Sequence, residues 1–333
     1  MQNKETKNIN QVKLFDLIKK TLPKSEALVY AVSEFLGIGS TAAYNRINGN
    51  KPISFEETIK LCEHFNITLD SIVNNFAYKN LIQCRYSPLN LTDMNDFTTF
   101  VQVASDSLEK TRLSPKGEII LSALDIPIFH LLPYRELTQF KLFSWNKSVY
   151  GYSADFDTFV KEKGFNEILD KNYEKILKNY QLIPSTEIWT DNTFDTILKL
   201  LNYHFEMKHF SDKQVPLFLC NQLLELMSTL QKWADKGTKG EKEVPFKFKI
   251  TETDVTNTFI IFKIAEKSIC YVKLYTINGL STSDERICNE TENWLRSIAQ
   301  RSTLISGVSE TERFKFFSTQ KEKIEKLIKK IHK

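Results

Sequence analysis

A polar segment near the amino end holds the side chains best suited to bind another molecule. Hydroxyl and amide side chains can hydrogen-bond to base edges or phosphates, and basic side chains neutralise phosphate charge. If residues 41–48 form a helix, the polar residues fall largely on one face, while Tyr44 and Ile47 point inward. The candidate contact residues are Ser40, Thr41, Asn45, Arg46, Asn48 and Lys51.

Two motifs have the spacing of enzyme signatures but not their context. Gly37-x-Gly39-x-x-Ala42 matches a dinucleotide-binding fingerprint, which requires a preceding strand, whereas this pattern predicts a helix there. Ser144-x-x-Lys147 matches certain serine acylases, but neither Ser-Asp-Asn nor Lys-Thr-Gly follows it. We interpret both as chance, predict no catalytic site and do not expect an enzyme.

Potential metal ligands are equally sparse. Cys62-x-His64 is a single pair, and His204 and His209 lie five apart rather than at the four-residue spacing of helical zinc sites. The five cysteines are odd in number and without close pairing, which predicts reduced thiols, mostly buried. We therefore expect neither a metal nor a cofactor.

The elements that position the polar segment are short helices. Residues 27–36, 41–48 and 55–65 have amphipathic helical patterns, and a closing helix begins over 69–73. A tight turn of small residues, 37–39, separates the first two. A three-residue turn between consecutive helices is typical of a helix-turn-helix, whose third helix is exposed to the DNA major groove.

This part of the chain resembles a known family. The similarity covers about residues 27–73 and lies in the run LGIGSTAAYNRINGNKPISFEETIKLCEHFNITLDSIV, most closely in PISFEETIKLCEHFNITLDSI. It resembles the helix-turn-helix of Cro/lambda-repressor (Xre-like) regulators, although Asn48 follows Ile47 where family members often carry an acidic residue. The resemblance implies a sequence-specific transcription regulator that binds double-stranded DNA as a dimer.

The remainder of the chain predicts a second, larger domain. We place a helix-turn-helix domain at 11–78, a linker at 84–92 and an α+β regulatory or dimerisation domain at 93–333. The whole is mainly α, and the second domain has an antiparallel sheet. The predicted helices of the second domain are 93–110, 133–150, 166–180, 191–209 and 211–234. The predicted strands are 118–124 and an antiparallel meander of 246–251, 258–264 and 268–276.

Capping boxes predict several helix starts, because Ser or Thr followed three residues later by Glu or Gln satisfies free backbone amides. The four such patterns are Ser54-x-x-Glu57, Ser211-x-x-Gln214, Thr282-x-x-Glu285 and Ser309-x-x-Glu312.

Composition limits the class of protein. With 41% apolar and 26% charged residues, the 333-residue chain fits a soluble globular protein. No apolar run approaches the roughly 18 residues of a membrane span, and the polar amino end predicts no secretion signal. Ten glycines leave room for few phosphate-binding loops. Residues 1–80 hold ten Lys/Arg and eight Asp/Glu, a net charge of 10 − 8 = +2, which predicts weak, salt-sensitive binding to DNA.

We therefore expect a cytoplasmic DNA-binding regulator that acts as a homodimer without a membrane anchor. A small-molecule or protein effector at the second domain is a further expectation. Two alternatives remain open. The first domain could be a protein-docking module without DNA binding, or the second could be an enzyme that the first autoregulates.

Overall fold

The chain divides into two compact units, residues 1–82 and 83–333. The computed structural model describes residues 8–23, 26–72, 82–87, 94–163, 167–253, 255–274 and 278–333. Several predicted positions lie outside the described residues: 73–78 of the first domain, 88–93 around the linker, 166 and 275–276.

The first unit is a group of short helices around its own core. Its helices are α1 (Ile9–Thr21), α2 (Leu28–Leu36), α3 (Ser40–Ile47) and α4 (Phe55–His64), with a 3-10 turn at Leu69–Ser71. The predicted helical segments 27–36, 41–48 and 55–65 are thus helical except at one residue of each, 27, 48 and 65, which are caps, and α3 begins one residue earlier than predicted. The buried core consists of Leu14, Phe15, Ile18, Val32, Ala43, Leu61, Cys62 and Ile72.

The second unit contains helices and a sheet. Its helices are α5 (Met94–Leu113), α6 (Ile128–Leu131), α7 (Arg135–Tyr150), α8 (Phe156–Lys163), α9 (Glu167–Gln181), α10 (Asp195–Glu206), α11 (Gln214–Lys236), α12 (Glu285–Arg301) and α13 (Glu310–His332). Its strands are β1 (Arg85–Ser87), β2 (Glu118–Ala123), β3 (Ser185–Trp189), β4 (Thr238–Lys239), β5 (Val244–Ile250), β6 (Phe259–Ile264), β7 (Lys267–Lys273), β8 (Gly279–Thr282) and β9 (Thr303–Leu304).

The sheet is mixed, in the order β1-β8-β7-β6-β2-β3-β5-β4, with β9 also paired to β5. The adjacent strands β2, β3 and β5 are parallel, with Leu121 opposite Glu187 and Glu187 opposite Phe248. The other pairs are antiparallel. The second unit is therefore of the α+β class.

The predicted antiparallel meander is wrong in part. The hairpin of β6 and β7 forms as predicted, with Ile264 opposite Lys267 across a two-residue turn. However, β5 does not pair with β6; it is parallel to β3. The reason is that β3, which the sequence pattern did not reveal, lies between β2 and β5, so the centre of the sheet is parallel.

Helices cover both faces of this sheet. On one face, α12 packs Leu295 and Ile298 against Ile120, Ile188 and Ile261. The opposite face contributes to a larger core shared with α5, α7, α9, α10, α11 and α13. Among the described helices, none combines the length and the apolar character that a membrane crossing needs.

Candidate functional site

The third helix of the first unit is fixed by a tight turn and by one small buried residue. At the end of α2, Gly37 adopts a left-handed conformation (φ 64°), and the Ile38 amide donates to the Ser33 carbonyl at 3.0 Å. The chain therefore reverses within residues 37–39 and enters α3. Ala43 of α3 is fully buried, so this helix approaches the core closely.

The amino-terminal half of α3 is the exposed part. Ser40 and Thr41 are exposed, and Tyr44 is 57% exposed. The prediction that Tyr44 points inward is therefore wrong. Ala43 and Ile47, four residues apart, pack toward the core instead, and Tyr44 lies about 100° further round the helix.

Two asparagines lie where α3 ends, and both are half-buried. The Asn48 side-chain Nδ2 donates to the Tyr44 carbonyl at 3.0 Å, so Asn48 helps to end the helix. The Asn45 carbonyl accepts from the amides of Asn50 and Lys51 at 2.9 and 3.1 Å. Lys51 is exposed just beyond the helix, as expected.

Arg46 faces α4 rather than solvent. Its Nη1 lies 2.8 Å from Glu57 Oε1, and the two side chains are only 17% and 26% exposed. Glu57 Oε2 also accepts from the Ser54 amide at 2.9 Å, closing the predicted capping box of α4. One carboxylate thus joins the start of α4 to the end of α3.

A residue that sequence reasoning missed, Gln11, connects α1 to the segment after α3. Its Nε2 donates to the carbonyls of Arg46 and Lys51, both at 2.7 Å, and its Oε1 accepts from the Ile53 amide at 3.2 Å. Gln11 is only 4% exposed. The available signal was its place in the apolar series 11, 14, 15, 18, where a polar residue needs buried partners.

The charge of this region is close to neutral. Within residues 8–23 and 26–72, six Lys/Arg stand against seven Asp/Glu, a net of 6 − 7 = −1. Long-range attraction to phosphate is therefore weak for this part of the unit, and recognition would depend on local contacts.

The structure also places the other residues considered from sequence. Lys147 Nζ donates to the carbonyls of Tyr152, Ser153 and Ala154, so it caps a turn rather than serving Ser144. His204 and His209 do meet, with their Nδ1 atoms 2.9 Å apart, because the chain turns after α10. Across the part of the chain that the structure describes, no group of three or more potential ligands could hold a metal ion.

No protein-family profile, curated protein or solved structure matches the chain.

Proposed function

We propose that the first unit is a helix-turn-helix domain that binds double-stranded DNA through α3, and that the protein is a transcription regulator. The observation that carries this proposal is the setting of α3. A three-residue turn separates it from α2, Ala43 is buried against the core, and the edge bearing Thr41 and Tyr44 is exposed. A short helix held in this way can enter a major groove.

The residues of α3 would have different roles. Thr41 and Asn45 are the candidates for base edges, and Tyr44 adds an exposed ring beside them. Ser40 opens the helix without a side-chain cap, so the first amides are available to a phosphate. Lys51 would contact the phosphate backbone of the DNA.

Arg46 and Asn48 have positioning roles in this proposal. Arg46 is engaged by Glu57, and Asn48 by the Tyr44 carbonyl. Both therefore set the angle of α3 rather than read bases.

With a near-neutral charge, useful affinity for DNA would require a dimer. A single unit with few phosphate contacts has low affinity, whereas two units on half-sites about 34 Å apart bind together. The second unit would supply dimerisation and regulation. Light scattering at micromolar concentration should give the mass of a dimer, and a monomer mass would contradict this part of the proposal.

Fluorescence anisotropy with labelled genomic DNA fragments tests the proposal. The full chain should bind in a salt-dependent way, and Thr41→Ala with Asn45→Ala should weaken specific binding about tenfold or more. Thr68→Ala, an exposed threonine outside α3, is the matched control and should bind as the unmodified protein does. Genome-wide mapping of bound sites would then name the targets.

A protein-docking module is the second candidate. It is favoured by the net charge of −1 over the described part of the first unit and by exposed aromatic rings at Tyr30, Tyr44 and Phe55. An absence of DNA binding even at low salt would favour this candidate over a regulator.

A further inference from the structure

A cavity of about 160 Å³ lies in the second unit, between α9, α11 and the residues around α6. Its buried walls include Phe129 and Leu230, 4% and 1% exposed. Tyr134, Gln181 and Thr229 add polar atoms to a wall that is otherwise largely apolar and aromatic. Apolar cavities with a few converging polar groups are the usual form of small-molecule sites.

His130 lines this cavity and is held by a buried carboxylate. His130 is 4% exposed, and its Nε2 lies 2.9 Å from Glu187 Oε2. Glu187 also accepts from Trp189 Nε1 at 2.9 Å and from the Tyr180 hydroxyl. Because β3 sits between β2 and β5 in the sheet, Glu187 is anchored on a rigid strand.

The charges beneath the cavity are arranged to keep Glu187 ionised. Burial by itself would raise the pKa of Glu187, but the charge and hydrogen bond of His130, with Lys239 and Tyr180, lower it below its usual value. Lys239 is itself fully buried, with Nζ 3.5 Å from the centre of the Tyr180 ring and 2.6 Å from Ser185 Oγ. Glu187 Oε2 and the Tyr180 hydroxyl lie 2.9 and 3.4 Å from His130 Nε2, so a ligand would have to use the other ring nitrogen, Nδ1.

The size and walls of the cavity select the class of ligand. A cavity of roughly 150 Å³ takes one benzene-sized molecule. The ring of Trp233 lies 6.0 Å from that of His130, and Phe129 stacks on Tyr180 at 4.8 Å, so a planar ring finds aromatic neighbours. A carboxylate ligand would be desolvated close to Glu187, which disfavours anions.

We propose that this cavity binds a neutral, single-ring aromatic molecule of the phenol class, whose hydroxyl hydrogen-bonds to His130 and to the Tyr134–Thr229 pair. Tyr134 Oη and Thr229 Oγ1 lie 3.4 Å apart and can give or accept a hydrogen bond. The proposal does not depend on DNA binding by the first unit.

Calorimetric titration of the full chain with phenol, toluene and benzoate tests this proposal. Phenol should bind saturably with a Kd on the order of 1 mM, as expected for so small a ligand. Toluene lacks the hydroxyl and should bind about tenfold more weakly. Benzoate should not bind. Equal binding of benzoate and phenol, or no saturation by phenol at about 10 mM, would overturn the proposal.

The location is tested with a matched pair of variants on α11. Thr229→Trp fills the cavity from its half-buried rim and should abolish phenol binding, whereas Ser228→Trp, at the exposed neighbouring position, should leave it unchanged. Fluorine NMR of the otherwise unmodified protein labelled with 5-fluorotryptophan gives a second readout, and a substitution is used only to assign one resonance. Phenol should shift the resonance of Trp233, assigned with Trp233→Phe, and not that of Trp294. Unchanged binding by Thr229→Trp, or no shift of Trp233, would show that the ligand does not enter this cavity.

Discussion

At the scale of single residues, Asp125 is a buried carboxylate held between two lysines. Its side chain is 3% exposed and that of Lys141 6%, while Lys273 Nζ lies 2.9 Å from Asp125 Oδ2. Burial alone would raise the pKa of Asp125, but the charges of Lys141 and Lys273 hold it below its usual value. Burial also lowers the pKa of Lys141. The buried charge of Asp125 and those of the two lysines therefore stabilise one another.

Asp125→Asn should therefore be strongly destabilising. It leaves two buried or half-buried ammonium groups without their counter-charge, and breaking a buried pair costs about 3–5 kcal/mol. The matched control is Asp235→Asn, because Asp235 is 53% exposed in its pair with Arg313 and should contribute about 0–1 kcal/mol. Urea unfolding of both variants measures the difference. Equal losses would show that the buried triad is not a linked unit.

A second residue-scale feature is the contact between His204 and His209. His204 is 1% exposed and packs its ring against Phe140 and Phe143. Burial, with smaller contributions from His209 and Lys147, lowers the pKa of His204 to about 4. The folded state therefore binds a proton at His204 less readily than the unfolded chain, whose histidine pKa is near 6.5.

The free energy of unfolding should fall as the pH drops from about 6.5 to 4, since the unfolded chain takes up the proton first. The His204 contribution to this loss is about 2–3 kcal/mol, from the pKa difference. His204→Asn should flatten the pH profile in this window, whereas His332→Asn, at an exposed position of α13, should not. Parallel profiles for His204→Asn and the unmodified protein would contradict the lowered pKa.

At the scale of elements, helix starts show what sequence patterns can and cannot predict. Of the four capping boxes, Ser54-x-x-Glu57 forms, because Ser54 has the extended backbone (φ −76°, ψ 165°) that a cap needs. Ser309 is left-handed (φ 57°) and makes no cap, and Asp284 takes the place predicted for Thr282. For the fourth pattern, Ser211-x-x-Gln214, the helix does not begin directly after Ser211; α11 begins at Gln214. The sequence pattern predicts a cap, but whether the cap forms depends on the backbone conformation that the preceding loop gives to the capping residue.

The sheet shows the same limit at longer range. The runs that became β5, β6 and β7 were predicted from β-branched and aromatic residues, and the adjacent pair β6–β7 was predicted correctly. The β3 segment, Ser185–Trp189, was missed because Glu187 interrupts its apolar pattern. That residue is buried only because His130, Tyr180 and Trp189 converge on it. Contacts of this kind join segments that are distant in sequence, so they leave no local periodicity in it. The cavity could not be predicted for the same reason, because its walls come from several separate segments.

The position of α3 was predictable in outline but not in orientation. Its bounds, predicted as 41–48 after the turn at 37–39, differ by one residue at each end from the observed Ser40–Ile47. Its rotation was predicted wrongly, since Tyr44 was expected inside and is exposed. Ala43 decides the rotation because a small residue lets the helix approach the core. The pairing of Arg46 with Glu57 depends on that rotation and could not be derived from spacing.

Gln11→Leu tests how firmly α3 is held. The substitution keeps an apolar contact but removes the side-chain partner of the Lys51 carbonyl and of the Ile53 amide, whereas the Arg46 carbonyl still accepts from the Gly49 amide at 3.0 Å. Buried unsatisfied groups cost about 1–3 kcal/mol each, so the first unit should lose about 2–4 kcal/mol. Asn10→Leu, at the exposed neighbouring position, is the control and should have little effect. Thermal unfolding followed by circular dichroism checks this, and an equally small loss for Gln11→Leu would contradict the role of Gln11.

At the scale of the whole molecule, the two units have separate cores. The core of the first unit is built from residues 14–72, and the two cores of the second from residues 101–331. Small cores bury a smaller fraction of their surface, so the first unit should be the less stable. The four tryptophans, Trp145, Trp189, Trp233 and Trp294, all belong to the second unit.

Tryptophan fluorescence therefore reports the second unit alone, whereas circular dichroism reports the helices of both. We expect the two urea-unfolding curves not to coincide, with circular dichroism showing an earlier phase that fluorescence lacks. Leu61→Ala and Leu295→Ala are a matched pair, because each leucine is fully buried in a different unit. Each should cost about 2–5 kcal/mol. Leu61→Ala should shift only the early phase, and Leu295→Ala should shift the fluorescence transition together with the later phase of the circular dichroism curve, since each leucine belongs to the core of its own unit. If Leu61→Ala moved the fluorescence midpoint as much as Leu295→Ala does, the two units would unfold as one.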